Sequence, residues 1–277
     1  MSNIEKIESI DEYVRIAKSF KSTFGLTKAS INPWFRGHNN HTYELKPTLY
    51  RIGNEIIRVC EREILRDFKL KSRAYINSSD LKTDIECMIL MQHYGVPTRL
   101  LDWSESYLVA LFFAVSNIKD DNDCCVWVLN PWKINKNIMS VMKKSIISPD
   151  NAELKDWLLN SENKIEGQFP VAIRAPMNSN RILGQRGLFT LFGELDDSLN
   201  ELFPPSEKAC AKIIIQGNKK LEILKELFEA GITHSTILPE LKGICEEITF
   251  RFSSYLGEDS FDWNDPANRS ESVIQNL

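Results

Sequence analysis

Gln92-His93-Tyr94-Gly95-Val96-Pro97-Thr98-Arg99-Leu100-Leu101-Asp102-Trp103-Ser104 sets His, Arg, Asp and Ser between two apolar segments. Upstream, Asp84 to Met91 reads as the end of a helix that Gly95 and Pro97 stop. Downstream, Glu105 to Asn117 is apolar almost all round from Tyr107 to Val115, which is the pattern of a buried helix. Asp102 with Glu105 three residues on has the chemistry of a capping box, and Ser104 is the alternative cap. The expectation is a polar loop feeding the N-terminus of a core helix. Free backbone N–H groups and partial positive charge favour an anion there, and Arg99 adds a cation. The structural alternative is that Asp102 only caps, Arg99 pairs with a carboxylate and His93 ends a helix.

A second cluster, Trp34-Phe35-Arg36-Gly37-His38, follows Asn32-Pro33. The aromatic pair predicts a short strand carrying Arg36 at its end, with Gly37 relieving the backbone. Arg51 comes after Lys46-Pro47-Thr48-Leu49-Tyr50, and a third marker is Arg181-Ile182-Leu183-Gly184-Gln185-Arg186-Gly187-Leu188-Phe189-Thr190.

Taken together these segments resemble the FRG domain family, named after its Phe-Arg-Gly motif, here Phe35-Arg36-Gly37. The resemblance runs in the family's order over about residues 30 to 250. It passes through the Leu45 to Arg51 element, the Gln92 to Ser104 loop with its apolar helix, Val126 to Leu129 and Gln185 to Thr190. Leu227 to Ile232 and Leu238 to Gly243 look like the end of such a domain. One departure is Arg186, where the family pattern leads us to expect a second Gln.

The 277 residues, 43% hydrophobic and 26% charged, suffice for one large domain with a substantial core. A net charge of −4 argues against a generally basic nucleic-acid binder, though not against a local basic groove. No run approaches the roughly 18 apolar residues of a membrane span, and the first residues lack a basic region followed by an apolar run, so a cytoplasmic protein is expected. Cys60, Cys87, Cys124, Cys125, Cys210 and Cys245 are scattered without a Cys-x-x-Cys pair, so buried free thiols are expected rather than disulfides or zinc.

Helical stripes cover Ser9 to Phe24, where Ser9 and Glu12 suggest a second capping box, as well as Asn54 to Tyr75, Ala152 to Leu159 and Asn218 to Ala230. Gly231 stands at the C′ position of the last. Strands are expected at Cys124 to Leu129, Val171 to Arg174, Gly187 to Phe192 and Lys212 to Gln216. The fold class is therefore α+β: a helix-rich first half packed on a mainly antiparallel sheet from the second half. The expected divisions are an N-terminal helical extension over 1–29, an FRG domain over 30–252 and a C-terminal tail over 253–277.

P-loop, Rossmann, His-Glu-x-x-His and Gly-x-Ser-x-Gly fingerprints are all missing. The order of an early-strand Arg, a Ser-bearing segment before a core helix and a later Gln is similar to that of ADP-ribosyltransferases. In those enzymes the Arg binds a phosphate of NAD and the later motif carries a Glu. The resemblance implies NAD or a related nucleotide as substrate, with no metal, and a role as toxin or phage-defence effector acting on a macromolecular acceptor or beside a neighbouring effector protein. On that reading Arg36, Gly37, Arg99, Tyr94 and Ser104 bind the nucleotide, and Trp34, Phe35 or Tyr94 stacks on nicotinamide. Asp102, His93 and Gln185 are the catalytic candidates, with Asp102 as the carboxylate that stabilises an oxocarbenium-like sugar and Glu166 and Glu194 as the other nearby carboxylates. The competing expectation is a non-catalytic module whose Arg-rich cleft holds a nucleotide, a nucleic-acid end or an acidic partner. An Arg36–Asp102 ion pair filling the cleft would favour that module. Convergence of Arg36, His93, Asp102 and Gln185 around an unpaired carboxylate would favour the enzyme.

Overall fold

The computed structural model describes residues 6–28, 31–53, 59–76, 83–136, 146–149, 154, 169–204 and 208–255. Its centre is a six-stranded sheet, β1 (Trp34–His38), β2 (Leu100–Ser104), β3 (Cys124–Leu129), β4 (Val171–Arg174), β5 (Gly187–Leu191) and β6 (Cys210–Ile215). The spatial order is β4-β5-β2-β1-β3-β6, and every neighbouring pair is antiparallel. The α+β class is confirmed, with eleven α-helices among the described residues. Half of the strands, β1, β2 and β3, come from the first half of the chain and occupy the middle of the sheet. The expected split between a helical first half and a stranded second half is thus softened.

The helices are α1 (Ile10–Thr23), α2 (Thr48–Arg51), α3 (Glu61–Ser72), α4 (Asp84–His93), α5 (Tyr107–Val115), α6 (Pro131–Lys136) and α7 (Asn180–Gln185). They are followed by α8 (Leu199–Leu202), α9 (Lys220–Glu229), α10 (His234–Ile237) and α11 (Leu241–Tyr255). Ser9 caps α1 as expected, but the Glu12 carboxylate accepts from the Glu8 N–H, so the reciprocal half of a capping box at Ser9 is absent. A full capping box stands at Thr83 and Glu86, before α4. Gly231 follows α9 with a φ of 79°, as its C′ placement requires. The expected helix over 152–159 lies outside the described residues, Leu154 excepted, and of the expected tail over 253–277 only 253–255 are described, as the last turn of α11 rather than tail.

One face of the sheet carries two apolar clusters. Over β1 and β3 lies α5, enclosed in turn by Tyr13, Ala17 and Phe20 of α1 and by Ile223, Leu224 and Leu227 of α9. That enclosure explains a helix that is apolar on all sides, since each fully buried Leu or Phe contributes about 1.5–3 kcal/mol. Over β2, β4 and β5 lies α4, with Ile85, Met88, Ile89 and Met91 against Leu100, Phe189 and Leu191. The opposite face holds Trp34, Leu101, Trp103, Trp127 and Leu129 together with Leu45, Phe192 and Phe203.

Two expectations around α5 are corrected. The stretch from Leu100 to Ser104 is strand β2 rather than loop, because Leu100, Leu101 and Trp103 alternate between buried faces and pair with β5 from Leu191 to Leu188. The helix starts at Tyr107 with Ser106 as N-cap, its hydroxyl accepting from the Val109 N–H at 3.4 Å, so neither Asp102 nor Ser104 caps.

Candidate functional site: the arginine seam between β1 and β2

Each residue of Phe35-Arg36-Gly37 has a separate physical task. Phe35 enters the α5 cluster, edge-on to Tyr107 with ring centroids 5.9 Å apart. Gly37 has an ordinary backbone conformation, but a Cβ on it would stand 2.0 Å from the Ala110 carbonyl oxygen and 2.6 Å from the Ala114 nitrogen. It is there so that α5 can lie directly on β1, which corrects its expected role in relieving the backbone. Arg36 sits in mid-strand rather than at the end, facing away from α5 as the two-residue period requires.

The β1–β2 pair is in register at Phe35 and Ser104. Beyond that pair Arg36 fills the seam, donating from Nη1 to the Asp102 carbonyl at 2.8 Å and to its carboxylate Oδ2 at 3.4 Å. Its Nε donates to His38 Nε2 at 2.9 Å. Asp102 Oδ1 accepts from Gln92 Nε2 at 2.6 Å, and Gln92 Oε1 accepts in turn from the buried Thr98 hydroxyl. A polar chain therefore runs Thr98, Gln92, Asp102, Arg36, His38. The Asp102 side chain keeps 54% of its surface exposed, whereas Arg36 keeps 19%.

Burial lowers the Arg36 pKa, Asp102 offsets only part of that, and Arg51 adds repulsion. His38 is pushed down to about 3, first by burial and then by Arg36. It is a neutral imidazole at physiological pH, as its acceptance of the Arg36 N–H through Nε2 requires.

The other candidates go elsewhere. Arg99 donates from Nε to both Glu61 oxygens, at 2.9 and 2.8 Å, and from Nη2 to Oε2. It is thereby committed to the first residue of α3, and the anion cradle expected at α5 does not form. His93 Nε2 lies 3.5 Å from Glu240 Oε2, and Arg181 Nη1 lies 3.7 Å from the other Glu240 oxygen. Burial and Arg181 lower the His93 pKa against the opposing pull of Glu240. Tyr94 is 72% exposed and packs edge-on against His93. Ser104 donates to the Gln185 carbonyl at 2.7 Å, joining β2 to the turn before β5, and accepts from the Ser106 N–H at 2.9 Å at the entry to α5. Gln185 ends α7 with its Nε2 buried and without a hydrogen-bond partner. Arg186 adopts a left-handed φ of 48° at the following turn, and its carbonyl accepts from the Glu105 N–H. Glu166 lies outside the described residues.

Arg36 and Asp102 are thus brought together, Ser104 and Gln185 are brought together, and His93, Tyr94 and Arg99 do not touch Arg36 or Asp102. Two members of the chain, His38 and Gln92, were missed as site residues. His38 stands two residues after Arg36 on a strand and must share its side, a signal present in the sequence. Gln92 and His93 are neighbours on one helix, about 100° apart around its axis, so only one of them can face Asp102, and it is Gln92.

The FRG domain family model matches residues 32–123, about a third of the chain. The matched stretch contains Arg36, Gly37, His38, Gln92, Thr98 and Asp102, the whole polar chain of the seam. No curated protein and no solved structure matches the chain.

Proposed function

We propose that this chain is a binding module whose Arg36 seam takes a phosphate-bearing ligand, a nucleotide in the expected case, with Asp102 as the resident counter-ion. The observation that carries this is the state of Arg36. Nη1 is engaged by Asp102 and Nε by His38, while Nη2 makes no hydrogen bond among the described residues. Guanidinium favours forked binding of phosphate oxygens, and a half-exposed carboxylate is a weak competitor for it. The other candidate arginines, Arg99 and Arg181, already face Glu61 and Glu240. Binding rather than turnover is supported because Asp102 is held by Arg36 and Gln92, and His93 faces Glu240, which leaves neither positioned as a free catalytic group. All six cysteines are free thiols, which fits work in the reducing cytoplasm.

The second reading, an ADP-ribosyltransferase-like enzyme acting on NAD as a toxin or phage-defence effector, is favoured by one observation. Arg36 on β1, Ser104 on β2 just before α5 and Gln185 at the entry to β5 lie on or beside three neighbouring strands, the order that the resemblance implies. Gln185 cannot supply the negative charge that an oxocarbenium-like sugar needs, so the chemistry would fall to Asp102.

The test combines calorimetric titration of ADP and NAD into the full chain with measurement of nicotinamide release and of ADP-ribose mass additions in lysate. Nucleotide binding that Arg36→Ala abolishes, without turnover, is the expected result. Nicotinamide release lost in Asp102→Asn would replace the module by the enzyme, and failure of the wild type to bind any nucleotide would overturn both.

A further inference from the structure

Antiparallel register places Arg36 opposite Trp127, and Trp127 opposite Lys212, so one cross-strand row over β1, β3 and β6 reads cation, indole, cation. Strands in a sheet lie about 4.8 Å apart, which puts the two cations on either side of the ring. Lys212 Nζ stands 4.5 Å from the Trp127 ring centroid and donates to the His41 carbonyl at 2.8 Å. His38 is on the same side of β1 as Arg36, with Arg51 near both.

Along this row the side-chain groups left without a partner among the described residues are N–H donors. Trp127 is 7% exposed, and its Nε1 has no partner; the same holds for Trp34 Nε1 one row deeper. His38 is 7% exposed, and because its Nε2 accepts from Arg36, the neutral ring carries its proton on Nδ1, directed toward the Tyr43 backbone. Arg36 Nη2 is a third N–H group without a bond among the described residues. Buried N–H groups are rarely left unpaired, and here several donors face no surplus of acceptors. A ribose hydroxyl or a base edge brings donors as well as acceptors. A phosphate chain brings acceptors alone, together with the negative charge that a row flanked by Arg36, Lys212 and Arg51 favours.

We propose that the row Arg36, Trp127, Lys212, with His38, holds the pyrophosphate part of the ligand, so that the module recognises the phosphate chain rather than the base. This rests on the binding reading above. The seam fixes one end of the chain at Arg36, the Trp127 N–H donates to it in mid-row, and Lys212 closes the far end.

The test titrates inorganic pyrophosphate, ADP and adenosine into the full chain and into Trp127→Phe, which keeps a ring but removes the N–H, and Lys212→Gln. Thermal melts confirm that each variant is folded. Pyrophosphate should bind, should compete with ADP and should weaken steeply with salt, and each variant should lose about three- to tenfold in affinity while adenosine does not bind. If ADP binds the wild type and both folded variants equally, the row is not the phosphate site although the binding reading stands, and tight adenosine binding has the same meaning. If the wild type binds none of the probes, the binding reading itself has failed.

Discussion

Arg36 and Arg99 flank the same strand pair and answer to different masters. Arg99 is held by Glu61 through both carboxylate oxygens, and the Glu61 side chain is only 9% exposed. Burial acts to lower the Arg99 pKa, but the Glu61 hydrogen bonds, with Tyr50 and Glu194 nearby, outweigh it and leave the pKa raised. Arg36 meets Asp102 through a single nitrogen, with a half-exposed carboxylate on the other side, and burial wins. Fork geometry is the difference. A bidentate pair closes a charge into the fold, whereas a one-nitrogen contact leaves charge to offer a ligand.

The largest expected effect comes from removing what places Arg36. In Gly37→Ala the new Cβ meets the Ala110 carbonyl at 2.0 Å, and because that contact is backbone on both sides, β1 and α5 must part. A loss of more than about 4 kcal/mol, or failure to fold, is expected in urea unfolding. A variant with near wild-type stability would show that the motif glycine is not a packing requirement. Next comes the closed pair: Glu61→Ala leaves the Arg99 guanidinium buried and unpaired, at a cost of about 3–5 kcal/mol. An Arg99→Met, Glu61→Leu double variant should recover most of that loss, and no recovery would mean that the pair does more than compensate charge.

These two arginines also show what the chain itself makes readable. The apolar run of α5, the β-branched β3 and β6 and the Gly231 stop follow from local periodicity, and so does the antiparallel α+β class. The strand β2 hid behind Gly95, Pro97 and Asp102, since a five-residue strand with a charge at its centre looks like a loop until β5 pairs with it. Arg36–Asp102 and Arg99–Glu61 were both foreseen in kind, as an ion pair and as an Arg with a carboxylate. Which arginine would be closed off depended on α3 bringing Glu61 across a separation of 38 residues, and nothing local encodes that.

A smaller effect tests the neutral partner of Arg36. With its pKa near 3 in the folded chain and about 6.5 when unfolded, His38 takes up protons preferentially in the unfolded state between those values. Its contribution is therefore complete above pH 6.5 and falls as the pH drops toward 3, with a slope approaching about 1.4 kcal/mol per pH unit. Between pH 6.5 and 5 the wild type should lose about 2 kcal/mol from this group, and His38→Gln, whose amide oxygen can still accept from Arg36, should lack that component. Parallel stability profiles for the two proteins over this range would place the acid sensitivity elsewhere.

The smallest change in stability should come from Asp102→Asn, and it divides the two arginines most sharply. The Arg36 bond to the backbone carbonyl survives, Asn Oδ1 can still accept from Gln92, and an exposed one-nitrogen pair is worth under about 1 kcal/mol, so unfolding should barely shift. Removing the resident counter-ion should instead strengthen phosphate binding, by ~2- to 5-fold at low salt and less as salt screens the charge. An equivalent swap at Glu61 should do the reverse, costing stability and leaving ligand affinity unchanged among molecules that remain folded. If Asp102→Asn weakens nucleotide binding, the carboxylate is part of what the ligand contacts. It is then not a competitor for Arg36, and the contrast between an open and a closed arginine fails at its open end.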